Sequence, residues 1–204
     1  MDRSRDRSAM GSSKIGRRPQ TRHRLPGDPP PERVLHEMIR VDHAGEVGAT
    51  RIYEGQLAVL GNRPIGGVIR AMAEQEQRHR KAFDALMVKR HVRPTLLSPM
   101  WHVAGFALGA ASALLGERAA MACTVAVEEV IGEHYAAQLT ALGDEDLAKR
   151  EPELAETIRD FRDDELEHRT IGLDHDAEKA PASLLLTGLI KAGTRLAIAL
   201  SKRL

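Results

Sequence analysis

The segment that decides the fold is Asp163-Asp164-Glu165-Leu166-Glu167-His168, which has an earlier counterpart in Glu74-Gln75-Glu76-Gln77-Arg78-His79. Both segments contain the pattern Glu-x-x-His. In a helix, side chains three positions apart lie on one face, so the glutamate and the histidine of each segment can meet. A single pair of this kind is usually solvated helix surface. Two pairs on separate helices are what a pair of metal ions inside a four-helix bundle requires.

Composition limits the class of protein. The 204 residues are 42% hydrophobic, which is enough for one main domain with a substantial core. Lysine and arginine number 30 against 29 aspartates and glutamates, so the net charge of +1 gives no overall indication of nucleic-acid binding. The single cysteine, Cys123, excludes an intramolecular disulfide. We predict that it is a small buried hydrophobic residue.

Residues 1–30 are predicted to be a disordered Arg-rich tail, followed by one domain over residues 31–204. Seven arginines and one lysine occur within residues 1–28, and no apolar core typical of a secretory signal is present. An Arg- and Ser-rich start also resembles a mitochondrial presequence, although Asp2 and Asp6 do not suit such acid-poor segments. A bacterial tail is therefore favoured, and a mitochondrial origin is the alternative.

Apolar periodicity predicts an all-α fold with four long helices in two pairs. Their predicted ranges are about 32–60, 66–91, 117–142 and 152–178. The segment Gly61-Asn62-Arg63-Pro64 should end the first helix, and Pro152 suits the first turn of the fourth.

Two further segments are predicted to associate with a membrane. Residues 98–116 contain no Asp, Glu, Lys or Arg, but they are short for a spanning helix, so we predict a buried or membrane-dipping helix. Residues 181–204 are predicted to form a basic amphipathic helix in which leucines oppose Lys191, Arg195 and Lys202. The alternative is a helix docked on the bundle with a solvated cationic face. Taken together with the neutral segment at residues 98–116, the helix is predicted to bind the membrane.

The remaining two long helices offer one inward-facing carboxylate each. Glu128 shares its face with apolar residues and with Tyr135, whereas Glu129 lies on a more polar strip. In the first helix Glu46 lies between small residues, and Glu54 is its competitor. The predicted metal ligands are therefore Glu46, Glu76, His79, Glu128, Glu165 and His168.

Four buried glutamates need cations to offset their charge. With two neutral histidines they carry a charge that two divalent cations balance, and oxygen-rich sites with imidazole suit iron or manganese. Around the second motif, Glu167 is predicted to face outward. Asp164 is a candidate for holding the imidazole of His168, with a solvated acid as the alternative.

Three longer segments carry a family resemblance: Arg40–Glu46 (RVDHAGE), Ala122–Glu129 (ACTVAVEE) and Phe161–His168, which is followed by Ile171–Ala177. Together they resemble the demethoxyubiquinone hydroxylases of ubiquinone biosynthesis, and the resemblance extends from about residue 33 to residue 204. It implies a ferritin-like di-iron monooxygenase, bound peripherally to a membrane, that hydroxylates the ring of a polyprenylated methoxy-benzoquinol.

The resemblance also implies site residues and partners. It implies that the six predicted ligands hold two iron ions, and that His134 and Tyr135 lie near them as candidates for an electron or proton relay. A core tyrosine is the alternative for Tyr135. The implied partners are the quinol, dioxygen and the membrane surface, with other proteins of ubiquinone biosynthesis and further copies of the chain as additional candidates. The implied location is the cytoplasmic face of a bacterial inner membrane, or the matrix side of the mitochondrial inner membrane.

Two other functions compete with this one. Another ferritin-like di-metal oxidase or peroxidase would use similar ligands but has no evident need for the neutral segment and the amphipathic helix. A non-catalytic membrane or lipid-binding scaffold would leave the glutamates and histidines on solvated helix surface. No Gly-x-Gly-x-x-Gly follows a predicted strand, so we expect no nicotinamide or flavin domain, and the electron donor stays open.

Overall fold

The computed structural model describes residues 27–143 and 151–204, and within these ranges the chain is helical and contains no β-strand. The helices are α1 (Pro31–Leu60), α2 (Gly66–Arg90), α3 (Ser98–Leu114), α4 (Glu117–Leu142), α5 (Pro152–Asp174) and α6 (Ser183–Ser201). The all-α prediction is confirmed. Apart from its last four residues, the predicted disordered tail lies outside the described residues.

The four long helices form a bundle from two helix pairs. Helix α1 packs on α2 and α3, and α4 packs on α5 and α6. One apolar cluster extends along α1 from Leu35 to Ile52 and along α4 from Cys123 to Leu142, and a second surrounds the end of α1 and the start of α4. Cys123 is buried in the first cluster, as predicted. Buried glutamate and histidine side chains lie among these apolar residues.

The predicted end of the fourth long helix, near residue 178, is wrong. Helix α5 ends at Asp174, and a short 3-10 turn follows at Ala177–Lys179. Asp176 interrupts the helix with a left-handed backbone (φ 63°), a conformation that Asp tolerates better than most residues. Its carboxylate pairs with Lys179 and Arg118. Ala177 beyond the break is also buried, so the apolar pattern of the sequence continues past the end of the helix.

Helix α3 lies unusually close to α1. A Cβ atom at Gly109 would be 1.9 Å from the carbonyl oxygen of Ile52, and one at Gly55 would be 2.2 Å from that of Phe106. Only glycine permits this approach at these two positions. The neutral segment is therefore a packed helix on one side, while its outer side exposes apolar residues such as Val103 and Leu114.

Helix α6 packs on α4 with two of its cations directed toward that helix and most of its leucines directed outward. Lys191 and Arg195 pair with Glu129 and Glu133 of α4, and the ends of α6 and α3 are joined by a hydrogen bond between Trp101 Nε1 and Ser201 Oγ. The outer side carries leucines that are more than half exposed, namely Leu184, Leu185, Leu189 and Leu196. By length and composition, α6 is the one helix in the described ranges that could cross a membrane.

Candidate metal centre

All six predicted ligands meet in the middle of the bundle. Helix α1 supplies Glu46, α2 supplies Glu76 and His79, α4 supplies Glu128, and α5 supplies Glu165 and His168. Each side chain is buried, with at most 2% of its surface exposed. This arrangement follows from the sequence because each helix directs its Glu or Glu-x-x-His face toward the bundle axis.

The six side chains form two groups that could each hold a metal ion. Ligand atoms of Glu46, Glu76, His79 and Glu165 lie within 4.8 Å of one another, and so do those of Glu76, Glu128, Glu165 and His168. We call these groups the His79 position and the His168 position. Glu76 and Glu165 belong to both, so each carboxylate can bridge the two positions. Glu46 and Glu128 each belong to one.

The polar atoms at this centre fit a pair of cations. Among the described residues, eight buried ligand atoms have no hydrogen-bond partner: Glu46 Oε2, both oxygens of Glu76, His79 Nδ1, Glu128 Oε2, both oxygens of Glu165 and His168 Nδ1. Buried polar atoms without partners destabilise a fold by about 1–3 kcal/mol each. A centre with this many lone pairs directed inward, and so little else to bind them, suits metal coordination.

The pKa shifts at this centre also fit a site for cations. Burial, followed by the charge of Glu165, raises the pKa of Glu76 and of Glu128 well above the usual range, and burial also raises that of Glu165. Burial alone would lower the pKa of His79, but the nearby carboxylates of Glu165 and Glu46, 3.4 Å and 3.6 Å from its Nδ1, raise it to about 12. Without a cation, the centre therefore retains protons. Metal ions would have to displace them.

The outer nitrogen of each histidine has a partner on the opposite helix pair. His79 Nε2 lies 2.9 Å from Asp164 Oδ2, and His168 Nε2 lies 3.0 Å from Gln75 Oε1. Because the Nδ1 atoms face the centre, Nε2 of each ring carries the proton and donates it outward. The prediction that Asp164 holds His168 is wrong, because Asp164 points across to α2 and holds His79. Gln75 was not predicted to have a role.

Two tyrosines hold the two unshared glutamates. Tyr53 OH donates to Glu128 Oε1 at 2.7 Å, and Tyr135 OH donates to Glu46 Oε1. Burial and the nearby glutamates raise the pKa of both phenols well above the usual value, so both remain donors. Sequence reasoning missed Tyr53. The repeat of a tyrosine seven residues after Glu46 and again after Glu128 could have revealed it.

The relay candidates lie at different distances from the centre. Tyr135 touches Glu46 directly, whereas His134 contacts no ligand. His134 Nε2 is 3.3 Å from the buried Asp42 Oδ1, which also accepts a hydrogen bond from Gln138 at 2.7 Å. A polar layer consisting of Asp42, His134 and Gln138 thus lies outside Tyr135, next to the Glu46 side of the centre.

The residues rejected as ligands lie outside the centre, as predicted. Glu54 pairs with Arg51 at the edge of α1, and Glu129 pairs with Lys191 and Arg169. Glu167 is exposed. The scaffold alternative required the motif glutamates and histidines to be solvated, and their burial contradicts it.

Comparison with known proteins identifies the family. A family model described as "Ubiquinone biosynthesis protein COQ7" matches residues 33–201. The chain belongs to the COQ7 family. A human relative, "NADPH-dependent 3-demethoxyubiquinone 3-hydroxylase, mitochondrial", is 55% identical over 195 residues, covering 94% of this chain and 89% of the relative. The "3-demethoxyubiquinol 3-hydroxylase" of Rhodospirillum rubrum is 56% identical over 181 residues, covering 88% and 83%.

The match confirms the resemblance carried by the three sequence segments. COQ7 relatives extend to Saccharomyces cerevisiae, whose "5-demethoxyubiquinone hydroxylase, mitochondrial" is 43% identical over 182 residues, covering 83% of this chain and 78% of the relative. Both bacterial and mitochondrial proteins are therefore among the relatives of this COQ7 chain.

An apolar cavity of about 360 Å³ lies beside the candidate metal centre. Gly45 and Ala49, which flank Glu46 in α1, form part of its wall, as do Val127 and Ile131, which flank Glu128 in α4. Helices α3 and α6 contribute the other side, including Trp101, Leu108, Ala197 and Ile198. The cavity therefore lies between the carboxylate-bearing helices and the two helices with exposed apolar faces.

Proposed function

We propose that this chain is a di-iron monooxygenase that hydroxylates the ring of demethoxyubiquinol in ubiquinone biosynthesis. The observation that carries the proposal is the pair of buried four-residue ligand groups that share Glu76 and Glu165. Membership of the COQ7 family, whose similar members are named as hydroxylases of this ring, supplies the substrate class and the reaction.

Two iron ions are the proposed cofactors. Glu46 and His79 would hold one ion, Glu128 and His168 the other, and Glu76 and Glu165 would bridge them. Carboxylate-rich sites with one imidazole per ion suit iron or manganese, and hydroxylation with dioxygen favours iron. When bound, the pair of ferrous ions would supply the electrons and the Lewis acidity that dioxygen activation needs.

The apolar cavity is the proposed substrate site. Its wall is almost entirely hydrocarbon, which suits a polyprenyl tail and excludes water from the centre. The residues next to Glu46 and Glu128 would place the quinol ring beside the ions. Small residues there, such as Gly45 and Ala49, leave room for a planar ring.

Membrane association is proposed to occur through α3 and α6. Their exposed side chains form an apolar surface next to the substrate cavity, so a lipid-soluble quinol could enter from a bilayer. The ion pairs of Lys191 and Arg195 with α4 hold α6 against the bundle, which favours peripheral attachment over a span. The cytoplasmic face of a bacterial inner membrane is the proposed location, with the mitochondrial matrix side as the alternative.

His134 and Tyr135 are the proposed relay residues. Tyr135 donates to Glu46, and His134 contacts Asp42 and lines a small surface cleft. This arrangement could move a proton between solvent and the Glu46 side of the centre. The human relative is named as NADPH-dependent, and we propose a nicotinamide donor of the same class here.

Complementation tests the proposed function. Expression in a ubiquinone-deficient strain that accumulates the demethoxy precursor should restore ubiquinone, measured by lipid extraction. Glu165→Ala should abolish the restoration and the iron content of the purified protein, because the bridging carboxylate is lost. Glu167→Ala, two residues away and exposed, is the matched control and should behave like the wild type. Persistence of the precursor with the wild-type chain would contradict the substrate.

A further inference from the structure

The helix pairs α1–α2 and α4–α5 contribute the same pattern of residues to the proposed metal centre. Glu46 with Tyr53 in α1 corresponds to Glu128 with Tyr135 in α4, and the Glu-x-x-His of α2 corresponds to that of α5. Each tyrosine donates to the glutamate of the other half, and each histidine is held by the residue that precedes the glutamate of the other motif. The ligands themselves are therefore nearly symmetric.

The outer partners of the histidines break this symmetry. The partner of His79 is a carboxylate, Asp164, and the partner of His168 is a neutral amide, Gln75. A second difference also places a carboxyl group on the side of the His79 position and a neutral group on the side of the His168 position. Asp42, one turn before Glu46, corresponds to Thr124, one turn before Glu128, and these two accept hydrogen bonds from Gln138 and Gln56 respectively.

We infer that the two metal positions are chemically unequal, and that Asp164 makes the His79 position the tighter-binding of the two. The inference rests on the proposed metal centre and adds a role for residues outside the ligand set. Asp164 and Gln75 act through the imidazoles that they hold, so both are positioning residues.

A hydrogen bond from an imidazole N–H to a carboxylate is stronger than one to an amide oxygen. It fixes the ring more firmly with Nδ1 directed at the centre and shifts electron density toward that atom, which makes the ring a better donor to a cation. Asp164 is 35% exposed, so water weakens its direct attraction for the ion. The hydrogen bond to His79, whose side chain is 1% exposed, is therefore the main route of the effect.

Ferrous binding to the metal-free full-length protein tests the inference. Anaerobic calorimetric titration of the wild type should show two steps that differ in affinity by about tenfold or more. Asp164→Asn should weaken the tighter step by about 10- to 100-fold and leave the other step unchanged. Gln75→Glu should strengthen the weaker step, and a merely structural role for position 75 would not produce that gain.

Neighbouring residues of the same chemistry provide matched controls. Asp163→Asn removes a carboxylate that pairs with Arg162 on the surface, and Gln77→Glu adds one at an exposed position of α2. Both variants should titrate like the wild type.

The location of the first ion gives a second readout. Crystals of the protein with one equivalent of Co²⁺ per chain should show the anomalous peak between Glu46 and His79, and Asp164→Asn combined with Gln75→Glu should move it toward His168. Two equal affinities in the wild type, or a first ion at the His168 position, would overturn this inference alone. Failure of the wild type to bind either ion would overturn the metal centre and this inference with it.

Discussion

At the residue scale, the buried glutamates of the candidate metal centre destabilise the metal-free protein when they are ionised, and a bound cation would offset this effect. Glu128 is buried to 2% exposure, and its environment favours the protonated form when no cation is bound. Its folded pKa therefore lies above the unfolded value of about 4.5. A group of this kind contributes stability that is fully present below the unfolded pKa and is lost as the pH rises through the folded pKa.

This pH dependence of stability predicts how Glu128→Gln will differ from the wild type. In the metal-free protein, the variant should be more stable than the wild type at pH 8, by on the order of 1–3 kcal/mol, and the difference should vanish near pH 4.5. Glutamine keeps the oxygen that accepts from Tyr53 and removes the ionisable group. Urea denaturation of both proteins at several pH values measures the difference. Exposed Glu167→Gln is the control, and equal stability of Glu128→Gln and wild type at pH 8 would contradict the argument.

At this scale the sequence could predict which glutamates and histidines meet in the bundle, but not the partners of the imidazoles. A Glu-x-x-His motif lies on one helix face whatever surrounds it, so its two side chains could be assigned from spacing alone. The partners of the imidazoles lie on other helices, and their identity depends on how α2 and α5 rotate against each other. In the observed packing of these helices, Asp164 accepts the hydrogen bond of His79 and Gln75 accepts that of His168.

At the element scale, apolar periodicity predicted where each long helix begins because proline and glycine mark the starts. It failed at the end of α5, where Asp176 breaks the helix without a change in the apolar pattern. The outward face of α6 was also beyond the sequence. Its amphipathic pattern shows two faces, but the pairing of Lys191 with Glu129 decides which one meets the bundle.

Because α3 packs so closely on α1, we predict that one methyl group added at the contact will lower the unfolding free energy substantially. In Gly109→Ala, the added Cβ would lie 1.9 Å from the carbonyl oxygen of Ile52, so the two helices must separate. We expect a loss of about 2–4 kcal/mol of unfolding free energy, measured by denaturation. Gly188→Ala is the matched control, since nothing lies within 4 Å of its Cβ. That variant should gain about 0.5–1 kcal/mol from helix propensity, and similar losses in both would contradict the packing argument.

At the scale of the whole molecule, the candidate metal centre, the apolar cavity and the exposed faces of α3 and α6 follow one another across the bundle. The cavity is bounded on one side by neighbours of the ligands and on the other by α3 and α6. Binding of these two helices to a bilayer would therefore bring acyl chains next to the proposed substrate site. The predicted disordered tail and the single domain over residues 31–204 remain predictions.

The proposed membrane-facing role of α6 can be tested without disturbing the candidate metal centre. Deletion of the helix would also remove the wall of the cavity and its ion pairs with α4, so substitution of outward leucines is the sharper experiment. Leu185→Asp with Leu196→Asp places two charges on side chains that are 65% and 59% exposed, so folding should be little affected. Burial of a leucine in a bilayer is worth about 1.5–3 kcal/mol, so each substitution should weaken liposome binding by about tenfold or more.

The control for this experiment is Val88→Asp, because Val88 is 78% exposed but lies on α2, a helix that packs on α1 and α5. Sedimentation with liposomes should distinguish the two variants, while ferrous binding and far-ultraviolet circular dichroism should be the same for both. If the leucine variant sediments like the wild type, α6 is not the membrane contact. If Val88→Asp is impaired equally, added negative charge explains the loss and the face of the molecule does not. An impaired leucine variant beside an unimpaired Val88→Asp would place the bilayer on the side of the bundle where the cavity lies.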